Sequence, residues 1–201
     1  MSLLEMISQQ LDDQALSQVS QRLGTDQATT QRAVAAALPM LVEGLARNAQ
    51  QPQGANALAS ALDRDHDGSV LDNLHGFLGG GGAESLGGSI LGHIFGARQS
   101  AAQEGLGQLG GLDGQKASQL LAMLAPLVLG ALGRQKRAGG LGADGVADML
   151  GTERRQVEQA NPRGASIFEQ MLDRDGDGSV ADDVASIGMD LLGGFLGGKR
   201  R

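Results

Sequence analysis

The chain has 201 residues, enough for one domain or two small ones, and 41% of them are hydrophobic, enough to form a core. A net charge of −7 argues against a dedicated nucleic-acid binder, which would present a basic face. The absence of cysteine excludes disulfides and zinc–thiolate sites.

Helical spacing of apolar residues runs through the first half of the chain. Asp12 and Asp13 are typical helix caps, Gly24 is a typical helix end, and Asp26 begins the longest segment. Pro39 lies inside that segment, where it predicts a kink or a break. The predicted elements are helices at about 3–11, 13–23 and 26–48, a linker at 50–54, a helix to 62, a short helix near 71–78 and a flexible glycine run at 79–82.

The second half contains the most apolar run of the chain, Leu120–Gly133, with Pro126 inside it. Its 14 residues fall short of the roughly 18–20 that span a bilayer, so we expect a buried central helix. The predicted helices of this half lie at about 86–95, 97–109, 114–137, 143–150, 153–160, 164–172 and 183–196.

No segment alternates as a strand would, so the sequence predicts an all-α fold, a compact bundle of short and medium helices. The side chains agree, because there is no Trp or Tyr, and Leu and Ala dominate. Gly accounts for 33 residues, and much of it lies among Leu and Ile, as in Leu86–Gly96 and Leu191–Gly198. Glycine among these apolar residues predicts close approach between helix backbones, and flexible segments are the alternative.

An internal repeat relates the long helices of the two halves at an offset of 87 residues, whereas the aspartate loops are offset by 110. The matched positions are Asp26 with Asp113, Pro39 with Pro126, and Arg47 with Arg134. We therefore predict a first helical repeat at 1–85 with a calcium loop at 63–74, and a second at 86–201 with a calcium loop at 173–184. We expect the two repeats to pack as one pseudo-symmetric domain.

Two aspartate-rich loops, Asp63–Asp72 and Asp173–Asp182, share the pattern Asp-x-Asp-x-Asp-Gly-Ser-Val. This pattern is the first half of an EF-hand loop. Calcium takes six to eight oxygen ligands, and carboxylates at alternate positions direct three of them to one centre. Because the pattern occurs twice, we predict two Ca²⁺ sites, one in each loop.

The predicted ligands are side-chain carboxylates and one backbone carbonyl in each loop. They are Asp63, Asp65, Asp67, Ser69 and Asp72 in the first loop, and Asp173, Asp175, Asp177, Ser179 and Asp182 in the second. Leu74 and Val184 occupy the position of the bidentate EF-hand Glu. Asp72 and Asp182 therefore either close the loop or cap the next helix. The missing Glu favours a structural calcium site over a switching one.

No arrangement of catalytic residues is apparent, so we predict that the protein is not an enzyme. His66 is expected to point outward from the loop, and His75 and His93 are expected to be surface or packing residues. The basic clusters Arg134–Arg137 and Lys199–Arg201 are expected to be solvated helix ends or tail.

The stretch Leu86–Gly139, with its Gly-His-Ile-Phe-Gly element, resembles the YidB-like bacterial domains of unknown function, as does the Asp-x-Asp-x-Asp-Gly-Ser loop. The similarity covers most of the chain. It implies a small, mostly helical bacterial protein and brings no activity and no catalytic residues.

Our hypothesis from the sequence is a non-enzymatic calcium-binding protein that serves interaction or assembly. A calcium-responsive regulator that exposes a Leu/Met surface and a membrane-associated protein are the alternatives. Negative charge and the lack of interfacial Trp and Tyr disfavour a membrane, and a protein partner or a homo-oligomer is expected. The N-terminus lacks signal-peptide features, which favours the cytoplasm and leaves the periplasm or export without a cleaved signal open.

Overall fold

The computed structural model describes residues 2–80 and 82–160, and every regular element in this part of the chain is helical. The all-α prediction is therefore confirmed for these residues. The helices are α1 Leu3–Gln10, α2 Asp13–Leu23, α3 Gln27–Ala49, α4 Pro52–Arg64, α5 Ser69–Asp72, α6 Leu74–Gly79, α7 Gly82–Phe95, α8 Gln99–Gly110, α9 Gly114–Gly139 and α10 Ala143–Ala160, with a 3₁₀ turn at Gly96–Arg98.

Aspartate side chains cap the starts of α2, α3 and α9, and the sequence predicts the first two of these caps. The Asp12 carboxylate accepts the Ala15 N–H at 2.8 Å, and Asp26 accepts the Thr29 N–H at 2.9 Å. Each bond satisfies one of the backbone donors that a helix start leaves free. Gly24 ends α2 in the left-handed conformation, as predicted for a helix stop.

The long helix α9 forms the centre of the bundle and packs against α1 to α5, α7, α8 and α10. Leu120, Leu121 and Met123 are fully buried, and the predicted buried run Leu120–Gly133 lies entirely within this helix. By length and composition α9 is the one helix of the described chain that is apolar enough to cross a membrane, and 83% of its most apolar window is buried. The buried central helix of a helical bundle can have the same length and apolar composition.

A glycine in α7, Gly87, allows this helix to approach the backbone of α9 closely. A Cβ at Gly87 would overlap the carbonyl oxygen of Ala122, whereas a Cβ at Gly88 would meet nothing within 4 Å. The predicted close approach between helix backbones is therefore present at Gly87. The buried residues of both halves of the chain join in one hydrophobic cluster around this contact.

Two local predictions are wrong, and one of two predicted alternatives does not occur. The linker predicted at 50–54 is shorter, because α4 already begins at Pro52, a residue favoured in a first helical turn. A break at Pro39 does not occur, since α3 continues through it as one helix. The helices predicted at 143–150 and 153–160 are one helix, α10, which continues through Gly151. Tertiary contacts hold this helix on either side of Gly151, because Leu150 is buried in the core and the Glu153 carboxylate accepts the Leu3 N–H at 2.7 Å.

The predicted helices at 164–172 and 183–196, and the second aspartate loop at 173–184, lie outside the described residues. The boundary predicted between residues 85 and 86 falls within α7.

Neighbouring glycines on α7 are predicted to respond oppositely to alanine. Gly87→Ala should destabilise the protein by about 1–3 kcal/mol, because the new methyl meets rigid backbone. Gly88→Ala should stabilise it by about 0.5–1 kcal/mol, because alanine favours a helix at an exposed position. Urea unfolding of both variants measures the difference, and equal effects at the two positions would contradict this packing.

Candidate metal centre

The first aspartate loop connects α4 to α5. Asp63 lies in the last turn of α4, and Asp65 ends that helix. The chain then turns at Gly68, which has φ +90°, a left-handed conformation that side chains rarely adopt. Ser69 begins α5, and its N–H donates to the Asp67 carboxylate at 2.9 Å. Position 6 of the loop is thus the sharp turn that the EF-hand pattern predicts.

The loop lies directly on the C-terminal half of α9. A Cβ at Gly133 would overlap the carbonyl oxygen of His66, and a Cβ at Gly130 would collide with the Val70 side chain. Val70 also packs against the hydrophobic core, as predicted for position 8 of the loop. Two glycines one turn apart on α9 therefore form the surface on which the loop is seated.

Basic side chains at the end of α9 neutralise the loop carboxylates. Lys136 Nζ lies 2.5 Å from Asp63 Oδ1, and Arg137 Nη2 lies 3.4 Å from Asp67 Oδ2. The expectation that the cluster Arg134–Arg137 is a solvated helix end is therefore wrong. Lys136 is the clearest case, because only 9% of this residue is exposed.

Arg134 makes a two-part contact with the end of the loop. Its Nη2 donates to Asp72 Oδ1 at 2.6 Å and to the Gly68 carbonyl oxygen at 3.0 Å. Asp72 is the last residue of α5, and no side chain caps α6, so the capping alternative for Asp72 is wrong. Its carboxylate instead links α5 to α9.

Within residues 2–80 and 82–160, no three Asp, Glu or His side chains come together as a group that could hold a metal ion. Asp63, Asp67 and Asp72 each face a different cation of α9, and Asp65 forms no salt bridge with another described residue. The five predicted ligands thus lie in one short segment, and three of them, Asp63, Asp67 and Asp72, direct their carboxylates to α9. Asp173, Asp175, Asp177, Ser179 and Asp182 lie outside the described residues.

The histidines differ in their surroundings. His66 is half-buried rather than outward-pointing, and burial lowers the pKa of its imidazole, against the opposing effect of Asp65. The neutral imidazole is therefore favoured beside the loop. His75 Nε2 lies 3.6 Å from Asp12 Oδ2, and the His93 carbonyl accepts a hydrogen bond from Asn48. The His75 side chain thus joins α6 to the start of α2, while the His93 side chain is exposed, in line with the expectation of surface or packing residues.

The contact between the loop and α9 was missed by reasoning from the sequence, although a signal for it exists. A cluster of four carboxylates and a cluster of three cations occur in the same chain, and the cations follow two glycines spaced by one helical turn. Clusters of opposite charge attract one another, and their pairing leaves no unpaired charge next to the core.

Removing one carboxylate at a time in EDTA tests the ion pairs without metal. Asp63→Asn should cost about 1–2 kcal/mol, because the mostly buried Lys136 ammonium loses its charged acceptor. Asp65→Asn, in the same loop, should change stability by less than about 0.5 kcal/mol. Urea unfolding gives both values.

A double-mutant cycle supplies the control. Lys136→Met should remove most of the penalty of Asp63→Asn, because no buried charge is then left unpaired. Equal losses for Asp63→Asn and Asp65→Asn, or an unchanged penalty in the double variant, would show that Lys136 and Asp63 do not stabilise one another.

Residues 5–135 match the family model described as "Bacterial protein of unknown function (DUF937)". The match covers well over half of the chain and includes the first aspartate loop. No curated protein and no solved structure matches the chain. The prediction of a bacterial family of unknown function is confirmed at this level, and the chain belongs to the bacterial family DUF937.

Proposed function

We propose that the protein is a non-enzymatic, calcium-stabilised helical module that serves interaction or assembly. The observation that carries this proposal is the spacing of Asp63, Asp65 and Asp67 immediately before Gly68, whose φ of +90° suits the sharp turn of a calcium loop. Recurrence of the same pattern at 173–179 supports it, because chance rarely repeats such a pattern within one chain.

In this proposal, Ca²⁺ takes the carboxylates of Asp63, Asp65, Asp67 and Asp72 and the Ser69 carbonyl. The second site takes Asp173, Asp175, Asp177, Ser179 and Asp182. Three carboxylates of the first loop are paired with α9, so calcium must draw them away from Lys136, Arg137 and Arg134. Binding therefore exchanges ion pairs for metal bonds, which predicts a moderate affinity for the first site.

A structural role for the metal follows from where the loop lies. The loop joins α4 to α5 over the central helix, and Val70 anchors it to the core. A cation that fixes this segment would stabilise the packing of α4 on α9. The absence of a Glu at position 12 supports the same reading, since that residue is part of the EF-hand ligand set used by opening switches.

Duplication of a helical module is part of the same proposal. Asp26 and Asp113 both cap the start of a long helix, and both helices contain a proline, Pro39 and Pro126, thirteen positions later. The resemblance to YidB-like domains supports a shared module that carries one Asp loop per copy. Cytoplasmic location and a protein partner or homo-oligomer remain predictions of this proposal.

Calcium titration tests the metal sites. Full-length protein should bind about two Ca²⁺ ions in calorimetry. Calcium at 100 times its dissociation constant should add about 2.7 kcal/mol of stability for a given site. Asp65→Asn should abolish one site, Asp175→Asn the other, and the double variant both.

The matched control is Asp148→Asn, which removes an exposed carboxylate of α10 far along the chain from either loop. It should leave binding heat and melting temperature unchanged. No binding heat in the unaltered protein, or an equal loss with Asp148→Asn, would refute calcium binding by these loops.

A calcium-responsive regulator is the second candidate, and the ion pairs between the loop and α9 favour it. A metal that draws Asp63, Asp67 and Asp72 away from α9 would weaken three contacts at once. The loop would then have two arrangements, one paired with α9 and one bound to metal. Such an exchange would expose apolar surface where Val70 and Leu71 now pack, which is the kind of surface a regulator uses.

Amide hydrogen exchange separates the two candidates. A regulator should show faster exchange in residues 130–139 when calcium is added, because α9 loses its partners there. A structural site should show slower exchange in residues 63–72 and no acceleration in α9. Comparison with Asp65→Asn protein in the same buffer removes effects of calcium that do not involve the loop.

A further inference from the structure

A large open cavity of about 1090 Å³ lies beside the aspartate loop. We call it the α4–α7 groove, because these helices form its two sides. Leu58 and Ala61 of α4 face Leu86 and Ile90 of α7, while Phe77 of α6 and Leu129 of α9 line the rest. The lining is mainly apolar.

Each side of the groove is one face of a helix. The α4 residues in the lining are Gly54, Ala57, Leu58, Ala61 and Arg64, which recur at spacings of three and four positions. Ala57 and Ala61 carry only a methyl group, so a further segment can approach the α4 backbone closely at these two positions. Such a surface suits a helix laid into a groove better than it suits a bulky small molecule held by polar contacts.

The groove leaves apolar surface exposed. Leu86 is 59% exposed, more than any other large hydrophobic residue in the described chain, and Leu109 of α8 follows at 44%. Leu109 lies outside the groove lining. Removing Leu86 and its neighbours from water would be favourable by roughly 25 cal/mol for each Å² of apolar area.

Charged residues line the groove where it meets the loop. Arg64, Asp65 and Asp67 all belong to its lining, and Asp67 shares its charge with Arg137 at 3.4 Å. Asp65 forms no salt bridge with another residue of the described chain. A basic group on the occupant would therefore find a complementary charge at this end.

The end of the sequence matches the groove in pattern and in charge. Val184, Ile187, Leu191 and Phe195 are spaced by three, four and four positions, which predicts one apolar helix face. Glycines at 188, 193, 194, 197 and 198 would permit close contact with the small residues of α4. Three cations, Lys199–Arg201, follow directly and complement the charge of Asp65.

The intervening chain is long enough to reach. Residues 161–182 separate the end of α10 from this segment, and 22 residues span up to about 70 Å when extended. A domain of about 160 residues has a radius of gyration near 15 Å, so any point on its surface lies within reach. The tether also holds the segment at an effective concentration on the order of millimolar, far above a second copy in dilute solution.

We propose that residues 183–201 of the same chain dock in the α4–α7 groove. The apolar face formed by Val184, Ile187, Leu191 and Phe195 packs between α4 and α7, and Lys199–Arg201 lie at the Asp65 end. This contact goes beyond the proposed calcium binding and does not depend on it. The protein would thereby cover Leu86, the most exposed large hydrophobic residue of the described chain, with its own sequence.

Cysteine cross-linking tests the proposal directly, because the full chain contains no native cysteine. The test variant is Leu86→Cys with Phe195→Cys, and the matched control is Leu109→Cys with Phe195→Cys. Both are oxidised under mild conditions in EDTA at micromolar concentration. The groove variant should form an intramolecular disulfide at least about tenfold faster than the control, because docking raises the local concentration of one thiol at the other.

A second pair keeps the test valid if Phe195 itself is needed for docking. Leu86→Cys with Gly198→Cys leaves the apolar face intact and should also cross-link within one chain. Adding Asp65→Lys to this pair should slow the reaction severalfold, because it places a cation beside Lys199–Arg201.

Other outcomes overturn the proposal. Equal rates for the Leu86 and Leu109 pairs would show that the segment does not prefer the groove. Disulfides between chains, seen as covalent dimers, would assign the groove to a second copy. Because all reactions are run in EDTA, a failure here is separate from a failure of calcium binding.

Discussion

The backbone of α9 lies so close to its neighbours that side chains are excluded at their contact points. On one side, Gly87 brings α7 against Ala122, and on another, Gly130 and Gly133 receive the aspartate loop. These contacts fix the positions of α7 and the loop relative to the core. The groove beside them is a consequence, since one of its sides is α7 and its rim is the loop.

Local rules predict much of the fold. Asp12, Gly24 and Asp26 begin or end helices where the sequence indicates, because caps act within one turn. Continuity through Gly151 was not predicted, and a break at Pro39 was left open, because tertiary contacts on both sides of each residue outweigh its local cost. Such burial depends on partners distant in sequence, which spacing alone cannot identify.

The candidate site was also predictable only in part from the sequence. Spacing predicts which carboxylates lie together in one loop and that Gly68 makes its turn. It does not predict that Lys136, more than seventy positions after Asp63, is brought within 2.5 Å of it. Under the proposed calcium binding, the metal would compete with the cations of α9 for these carboxylates. The outcome of that competition would depend on calcium concentration and on the cost of leaving Lys136 unpaired.

The glycines of α9 also bear on how the chain folds. Gly130, Gly133 and Gly139 lie in its C-terminal turns, and each lowers intrinsic helix stability by about 1 kcal/mol relative to alanine. That end of α9 therefore has little tendency to form a helix alone and gains its stability from the loop seated on it. Residues 63–72 and 130–139 should thus order together and open together, as one cooperative unit built from two distant parts of the chain.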